Sequence, residues 1–307
     1  MLRLGLCCKF HQVPIAFRTT TATALLRMPR QAQLRKVSDL ALENAEALKR
    51  ALQWCVANTI GAFRINSQIL PLKTHPDVGY AVADLPQADK VVAAYQNCGA
   101  LARQAGIRLS FHPDQFILLS ALNPAIVQAS IKELIYQTEV SSWVHADVIN
   151  IHAGGAYGDK AATCRRLIQV IETLSPEVRS RLTLENDDRL YTPSDLLPVC
   201  HETGLPLVYD VHHHRCLPDG VSVEEITQQA LQTWHREPLF HISSPRDGYN
   251  AKTPGPHHDM ITPTDVPDCW HPLDLTLDVE AKAKEVAVMS LRHALQQQGV
   301  SLWKTTG

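Results

Sequence analysis

The stretch RLTLENDDRLYTPSDLLPVCHETGLPLVYD, residues 181–210, holds one complete structural repeat. RLTLEN (181–186) and LPLVYD (205–210) are short apolar runs, each with a carboxylate at its end. Between them PSDLLPVCHETG reads as a short helix with Ser194 as its N-cap. Short apolar runs bounded by turn residues suit strands buried on both faces, as in a parallel sheet. The unit is therefore strand, helix, strand, and the question is how often it recurs.

Working outward, the same rhythm covers the chain. Strand-like segments stand at 2–8 (LRLGLCC), 61–66 (GAFRIN), 107–112 (IRLSFH), 146–152 (ADVINIH), 238–243 (PLFHIS) and 273–280 (LDLTLDVE). Helical stretches separate them near 38–58, 86–105, 123–142, 161–175 and 222–233, and a final helix runs to about 297. Eight β/α units in 307 residues point to an α/β fold, a single (β/α)8 TIM barrel spanning 1–307, with an open doubly wound sheet as the competing topology. Residues 9–36 and 244–272 read as long loops on the face where barrels keep their chemistry, the second rich in Pro, Gly and Ser.

Composition narrows the function. A net charge of −2 gives no global attraction for nucleic acid, so a DNA partner has to meet a local basic strip. Lys9, Arg18, Lys160, Arg246 and Lys252 fall on the mouth loops and are candidates for phosphate contact. Eight cysteines without a CxxC pair suggest reduced thiols and a cytoplasmic protein; Cys7 and Cys8, adjacent on a strand, would face opposite sides and stay buried. The apolar N-terminal segment is broken by Arg3 and Lys9, too short to span a membrane, and reads as a strand.

The informative pattern is what stands at the strand ends. Strand 3 ends in His112, strand 4 in His152, strand 5 in Glu185, strand 6 in Asp210 and strand 8 in Glu280, and strand 7 contains His241. One such residue is ordinarily a hydrogen-bonded rim group. Six from consecutive strands would crowd carboxylates and imidazoles into one mouth, which a cation relieves. Mixed N/O donors suit Mn²⁺, Zn²⁺ or Fe²⁺ better than Mg²⁺ or Ca²⁺. His75, His213, and His257 with Asp259 lie just past strand ends, so the donors exceed the needs of one tetrahedral ion. Two or three ions bridged by a carboxylate such as Glu185 fit the count, and a multinuclear site favours phosphate chemistry. The AGGAYGDK turn after His152 offers flexible backbone for a phosphate. His11, His145, His201, His235, His271 and His293 sit away from strand ends and read as structural or surface residues.

The segments RINSQILPLKTHP, FHPDQF, INIHAGGAYGDK, LENDDRLYT, YDVHHHR, FHISSP and DVEAKAKE, in this order, resemble the ultraviolet damage endonuclease family from about residue 2 to 290. The resemblance implies a TIM-barrel DNA repair enzyme, a metal-dependent hydrolase that nicks the phosphodiester backbone 5′ of pyrimidine dimers and 6-4 photoproducts without ATP. The ions it implies are manganese. Carried onto this chain, His112 and His152 with Glu185 resemble the ligands of one ion. Glu185, Asp210, His241 and Glu280 resemble those of a second, and His213 and His257 those of a third. His75 resembles a histidine beside the scissile phosphate, so His75, Glu185 and His213 are the catalytic expectation. Gln115 and Phe116 match the two residues that wedge into the duplex, Phe standing where the family commonly has Tyr. Other departures are Leu239, where the family often has a carboxylated lysine, and Leu6 and Phe10, where well-known members carry a Tyr and an Asn near the lesion.

The expectation is thus a protein acting on damaged double-stranded DNA, with no organic cofactor and no membrane; its oligomeric state is left open by the sequence, with a monomer as the expected form. Two other readings share these residues: a related barrel enzyme, either an abasic-site endonuclease or a sugar isomerase, and a lesion-binding protein that no longer cleaves. Within DVHHHR, His213 is the expected ligand, while His212 and His214 would hydrogen-bond locally or face solvent.

Overall fold

The computed structural model describes residues 1–113 and 117–304. Strands form at all eight expected places: β1 (Leu2–Cys7), β2 (Ala62–Ile65), β3 (Arg108–Phe111), β4 (Val148–His152), β5 (Leu182–Glu185), β6 (Leu207–Val208), β7 (Leu239–Ile242) and β8 (Leu275–Val279). All pairings are parallel, in the order β6-β5-β4-β3-β2-β1-β8-β7, with β1 joining β8 from Leu2↔Leu275 to Leu6↔Val279. Only the seam between β6 and β7 lacks a full ladder. There a single bridge, Asp210↔His241, closes the barrel, with His241 N donating to the Tyr209 carbonyl at 3.1 Å.

β6 is short for a local reason. The Asp210 side chain accepts from His213 N at 2.8 Å and so caps a helix, Val211–Cys216, that starts immediately after the strand. The chain turns over the mouth there instead of extending the ladder.

The crossovers are helical after β1 to β6 and β8, whereas the β7–β8 connection contains only 3-10 turns, Pro263–Asp265 and Asp268–Trp270, among the described residues. Trp270 takes the place of the missing helix. Its ring is fully buried against Phe240 (centroids 5.3 Å apart) and Tyr209 (5.9 Å), and Nε1 donates to Thr227 Oγ1 at 2.8 Å. At the opposite end of the barrel Arg108 pairs with Asp147 and donates to Thr276 Oγ1, and Arg3 pairs with Glu237. These charges close the floor and leave the mouth for chemistry.

Several local expectations are corrected. The first crossover is not one long loop over 9–36: a short helix, Ala22–Leu26, precedes a long one starting at Arg30. Ser194 does not cap the helix Pro193–Thr203. The cap is Thr192, whose side chain accepts from Asp195 N while Asp195 accepts from Thr192 N, a reciprocal box. Ser194 N instead donates to Asp219 Oδ2. Cys8 is not on β1; its φ of 53° ends the strand after Cys7. All eight cysteines are free, and no described helix is long and apolar enough to cross a membrane.

Replacing Thr192 by Ala should cost about 1 kcal/mol of stability by denaturant titration, the ordinary loss for an N-cap. A Ser194→Ala variant, which removes no cap and only a surface hydrogen bond to Asp219, should cost less, about 0.5 kcal/mol.

Candidate metal centre

Strand alternation turns every second residue inward, and at the mouth these are His112, His152, Glu185, His241 and Glu280. Asp210 and His213 join them from the cap and first turn of the helix after β6. Glu185 is the centre of the group. Its Oε2 lies 3.0 Å from His112 Nε2 and 3.8 Å from His152 Nε2. Its Oε1 lies 3.2 Å from His241 Nδ1 and 3.4 Å from His213 Nδ1. One carboxylate thus faces two different pairs of imidazoles with its two oxygens, the disposition a bridging ligand requires.

The remaining donors close around it. Glu280 Oε1 lies 3.4 Å from His241 Nδ1 and Oε2 lies 3.8 Å from His257 Nδ1. Asp210 Oδ2 is 3.5 Å from His213 Nδ1. Donor atoms lie mutually within 4.8 Å in three triplets: His112, His152 and Glu185; His112, His241 and Glu280; Glu185, Asp210 and His213. The first is one of the ligand sets that the family resemblance implies. The others divide the shared donors differently, with His213 beside Asp210 and Glu185, and His257 reached from Glu280.

Burial makes the charges strongly interdependent. Burial pushes the Glu185 carboxyl up, but His241, His152 and His112 together hold it well below the usual carboxylate range. For Glu280 burial is outweighed by Arg64, which forms an ion pair with it, and by His241. Burial lowers His241, yet Glu185 and Glu280 raise it to about 9. His213 is likewise raised, by Asp210 and Glu185 against burial, whereas burial dominates at His152 and lowers it.

The donor set fits a divalent cation. Both ring nitrogens of His241, His152 Nδ1 and Asp210 Oδ2 are buried without hydrogen-bond partners, a cost that coordination removes. Elsewhere the rings are oriented by backbone carbonyls. His112 Nδ1 donates to the Pro113 carbonyl and His213 Nδ1 to the Asn186 carbonyl at 3.0 Å. Four imidazoles with three carboxylates suit Mn²⁺, Zn²⁺ or Fe²⁺ rather than Mg²⁺ or Ca²⁺.

The histidine run divides by helical geometry. His213 faces the cluster. His212 Nε2 donates to the Gly255 carbonyl at 3.0 Å, and its Nδ1 lies 3.3 Å from the Tyr249 hydroxyl, which ties the 244–272 loop down. His214 bridges the Tyr209 hydroxyl at 2.7 Å and Asp219 Oδ1 at 2.8 Å. Of the two alternatives for these flanking histidines, the solvent-facing one is corrected: both are buried and hydrogen-bonded.

Other expected residues stand further out. His75 lies in the β2–helix loop, accepting from Asp77 N, beside a cavity of about 490 Å³ lined by Leu70, Leu72, Ile117 and Tyr136 among others. Gln115 and Phe116 lie outside the described residues. Leu6 is fully buried, and the Phe10 ring packs on Trp54 and Phe63, so both serve the core. Leu239 is buried and pairs with Thr276. Of the basic residues, Lys9, Arg18 and Lys252 are exposed, Lys160 is held by Asp195 at 2.8 Å, and Arg246 pairs with Asp247.

Four supporting residues escaped the sequence reading. Asn150 donates to Glu185 Oε2 and accepts from Thr183, Asn186 exchanges hydrogen bonds with the Asp210 backbone, Arg64 holds Glu280, and Asp278 lies beneath His241. For Asn150 and Asp278 the signal was the i−2 position on the same strand face as a ligand, and for Asn186 the position next to one; Arg64, on β2, has neither.

Comparison with known proteins gives a consistent assignment. The family model "UV-endonuclease UvdE" matches residues 2–303. A UV DNA damage endonuclease of Bacillus cereus (strain Q1) is 30% identical over 286 residues, covering 91% of this chain and 89% of its own. That of Bacillus mycoides (strain KBAB4) is 31% identical over 285 residues, covering 89% and 87%. The crystal structure of SacUVDE superposes with a TM-score of 0.87 at 25% identity, covering 98% of this chain and all of that one. Endonuclease IV from Thermus thermophilus, with a TM-score of 0.62 at 12% identity and covering 96% of this chain and 98% of its own, shares the fold alone.

Replacing His213 by Ala should weaken Mn²⁺ binding by roughly 10-fold or more, whereas His212→Ala and His214→Ala should each cost ~1–3 kcal/mol of stability and retain Mn²⁺ binding. Calorimetric titration paired with thermal melts reads both, and equal losses of binding at all three positions would contradict the division.

Proposed function

The chain belongs to the UV-endonuclease UvdE family, and on that premise we propose that it is a metal-dependent DNA repair endonuclease nicking the backbone 5′ of pyrimidine dimers and 6-4 photoproducts. The observation that carries the metal-dependent reading is the convergence of His112, His152, His213 and His241 on the two oxygens of Glu185. Two or three Mn²⁺, with Zn²⁺ or Fe²⁺ as substitutes, would lower the pKa of a water and neutralise the leaving 3′ oxygen.

The residues then have distinct tasks. Glu185 would be shared between ions, with His112 and His152 helping to hold one and Asp210, His241 and Glu280 another. His213 and His257 would hold a third. Arg64 keeps the Glu280 carboxylate turned toward the cluster. His75 stands by the scissile phosphate, where an imidazole can hold or pass a proton. Gln115 and Phe116 enter the duplex at the lesion, where weakened stacking makes insertion less costly. Lys9, Arg18 and Lys252 meet phosphates as solvent-exposed cations. The protein is a cytoplasmic monomer, its partner damaged double-stranded DNA, and it needs no ATP or organic cofactor.

Supercoiled plasmid irradiated with UV should be converted to the nicked circle in Mn²⁺, while unirradiated plasmid stays intact. Gln115→Ala should abolish most of that nicking. Failure of the metal-loaded protein to nick in Mn²⁺, Zn²⁺ or Fe²⁺ would overturn the endonuclease, and retained binding to irradiated DNA would then identify a non-cleaving lesion binder.

A further inference from the structure

Among the described residues, Asp278 is a buried carboxylate beneath the site that is not one of its donors. It stands on β8 two residues before Glu280, so both side chains are on the inner face of the barrel. In register it pairs with His241 on β7 and Gly5 on β1. Asp278 is fully buried and neither of its oxygens has a hydrogen-bond partner. The orphaned Nε2 of His241 lies 3.9 Å from Asp278 Oδ2. The Nδ1 of the same ring faces Glu185 and Glu280.

Room for this carboxyl exists because position 5 has no side chain. A Cβ on Gly5 would lie 2.1 Å from Asp278 Oδ1. A buried polar group left unpaired costs ~1–3 kcal/mol, and here a donor and an acceptor are left so, facing each other. A rotation of the carboxyl or one bridging water joins them.

We propose that Asp278 is a positioning residue: its carboxyl receives the Nε2–H of His241 and fixes the imidazole with Nδ1 turned to the cation held by Glu185 and Glu280. The inference rests on the metal reading of the site. It holds for either protonation state of Asp278, since both leave an acceptor oxygen. Ligating histidines are ordinarily held this way by a carboxylate or carbonyl at the second nitrogen.

The full chain and two variants test it. Asp278→Leu removes the acceptor, and Asp278→Asn keeps an oxygen in nearly the same place. Calorimetric titration with Mn²⁺ should show Asp278→Leu weakened roughly 10- to 100-fold at one ion, with Asp278→Asn restored to within about threefold of the original chain. A Leu variant that binds Mn²⁺ as tightly as the original chain would overturn the proposal.

A second measurement needs no variant. ¹⁵N shifts of His241 in the original chain loaded with diamagnetic Zn²⁺ should show Nε2 protonated and Nδ1 coordinated. The opposite tautomer would overturn the proposal even if Asp278→Leu failed to fold. Absence of Mn²⁺ and Zn²⁺ binding by the original chain would remove the metal reading and this inference together, whereas normal binding with the wrong tautomer removes only the inference.

Discussion

Glu185 carries its negative charge in a place almost closed to water, and the mouth of the barrel is arranged around that burial. Desolvation opposes the charge, and the imidazoles of His241, His152 and His112, delivered by β7, β4 and the end of β3, reverse the balance. Asn150 and Thr183 extend the support one layer down. No local segment can build this arrangement. Each contribution comes from a different strand, so the site exists only once the sheet has closed.

Closure and chemistry also share residues. The seam between β6 and β7 is held by Asp210 and His241, two of the donors. Asp210 gives up the strand to cap the helix that presents His213, which is why the ladder thins at that point. The loss is offset outside the seam by Trp270, Phe240 and Tyr209, and by His212 anchoring the loop through Gly255. The fold is weakest in hydrogen bonds where its site is densest, and aromatic packing behind the seam supplies the stiffness.

Much of this was legible because a parallel barrel imposes one rule: inward residues at the C-terminal strand ends converge. Apolar runs located all eight strands, and the polar residues at the ends of six of them pointed to side chains that the structure brings together. What stayed illegible depends on partners distant in sequence. Nothing in the run HHH distinguishes a ring facing Glu185 from one held by Gly255 or Asp219 until the helix and loop are placed. The Thr192 cap was readable in the spacing TPSD and lost to the nearer Ser194. Asp278 was readable in the alternation Thr276, Asp278, Glu280, but its importance depends on the glycine facing it across the sheet.

The two groups of imidazoles facing the two oxygens of Glu185 imply that this carboxylate would be shared between cations. A crystal grown with Mn²⁺ and measured at the manganese absorption edge tests it most directly. Anomalous peaks are expected on both sides of Glu185, one within coordinating distance of His112 and His152 and another of His241 and Glu280. A map with no peak touching Glu185, or with manganese only at surface carboxylates, would contradict it.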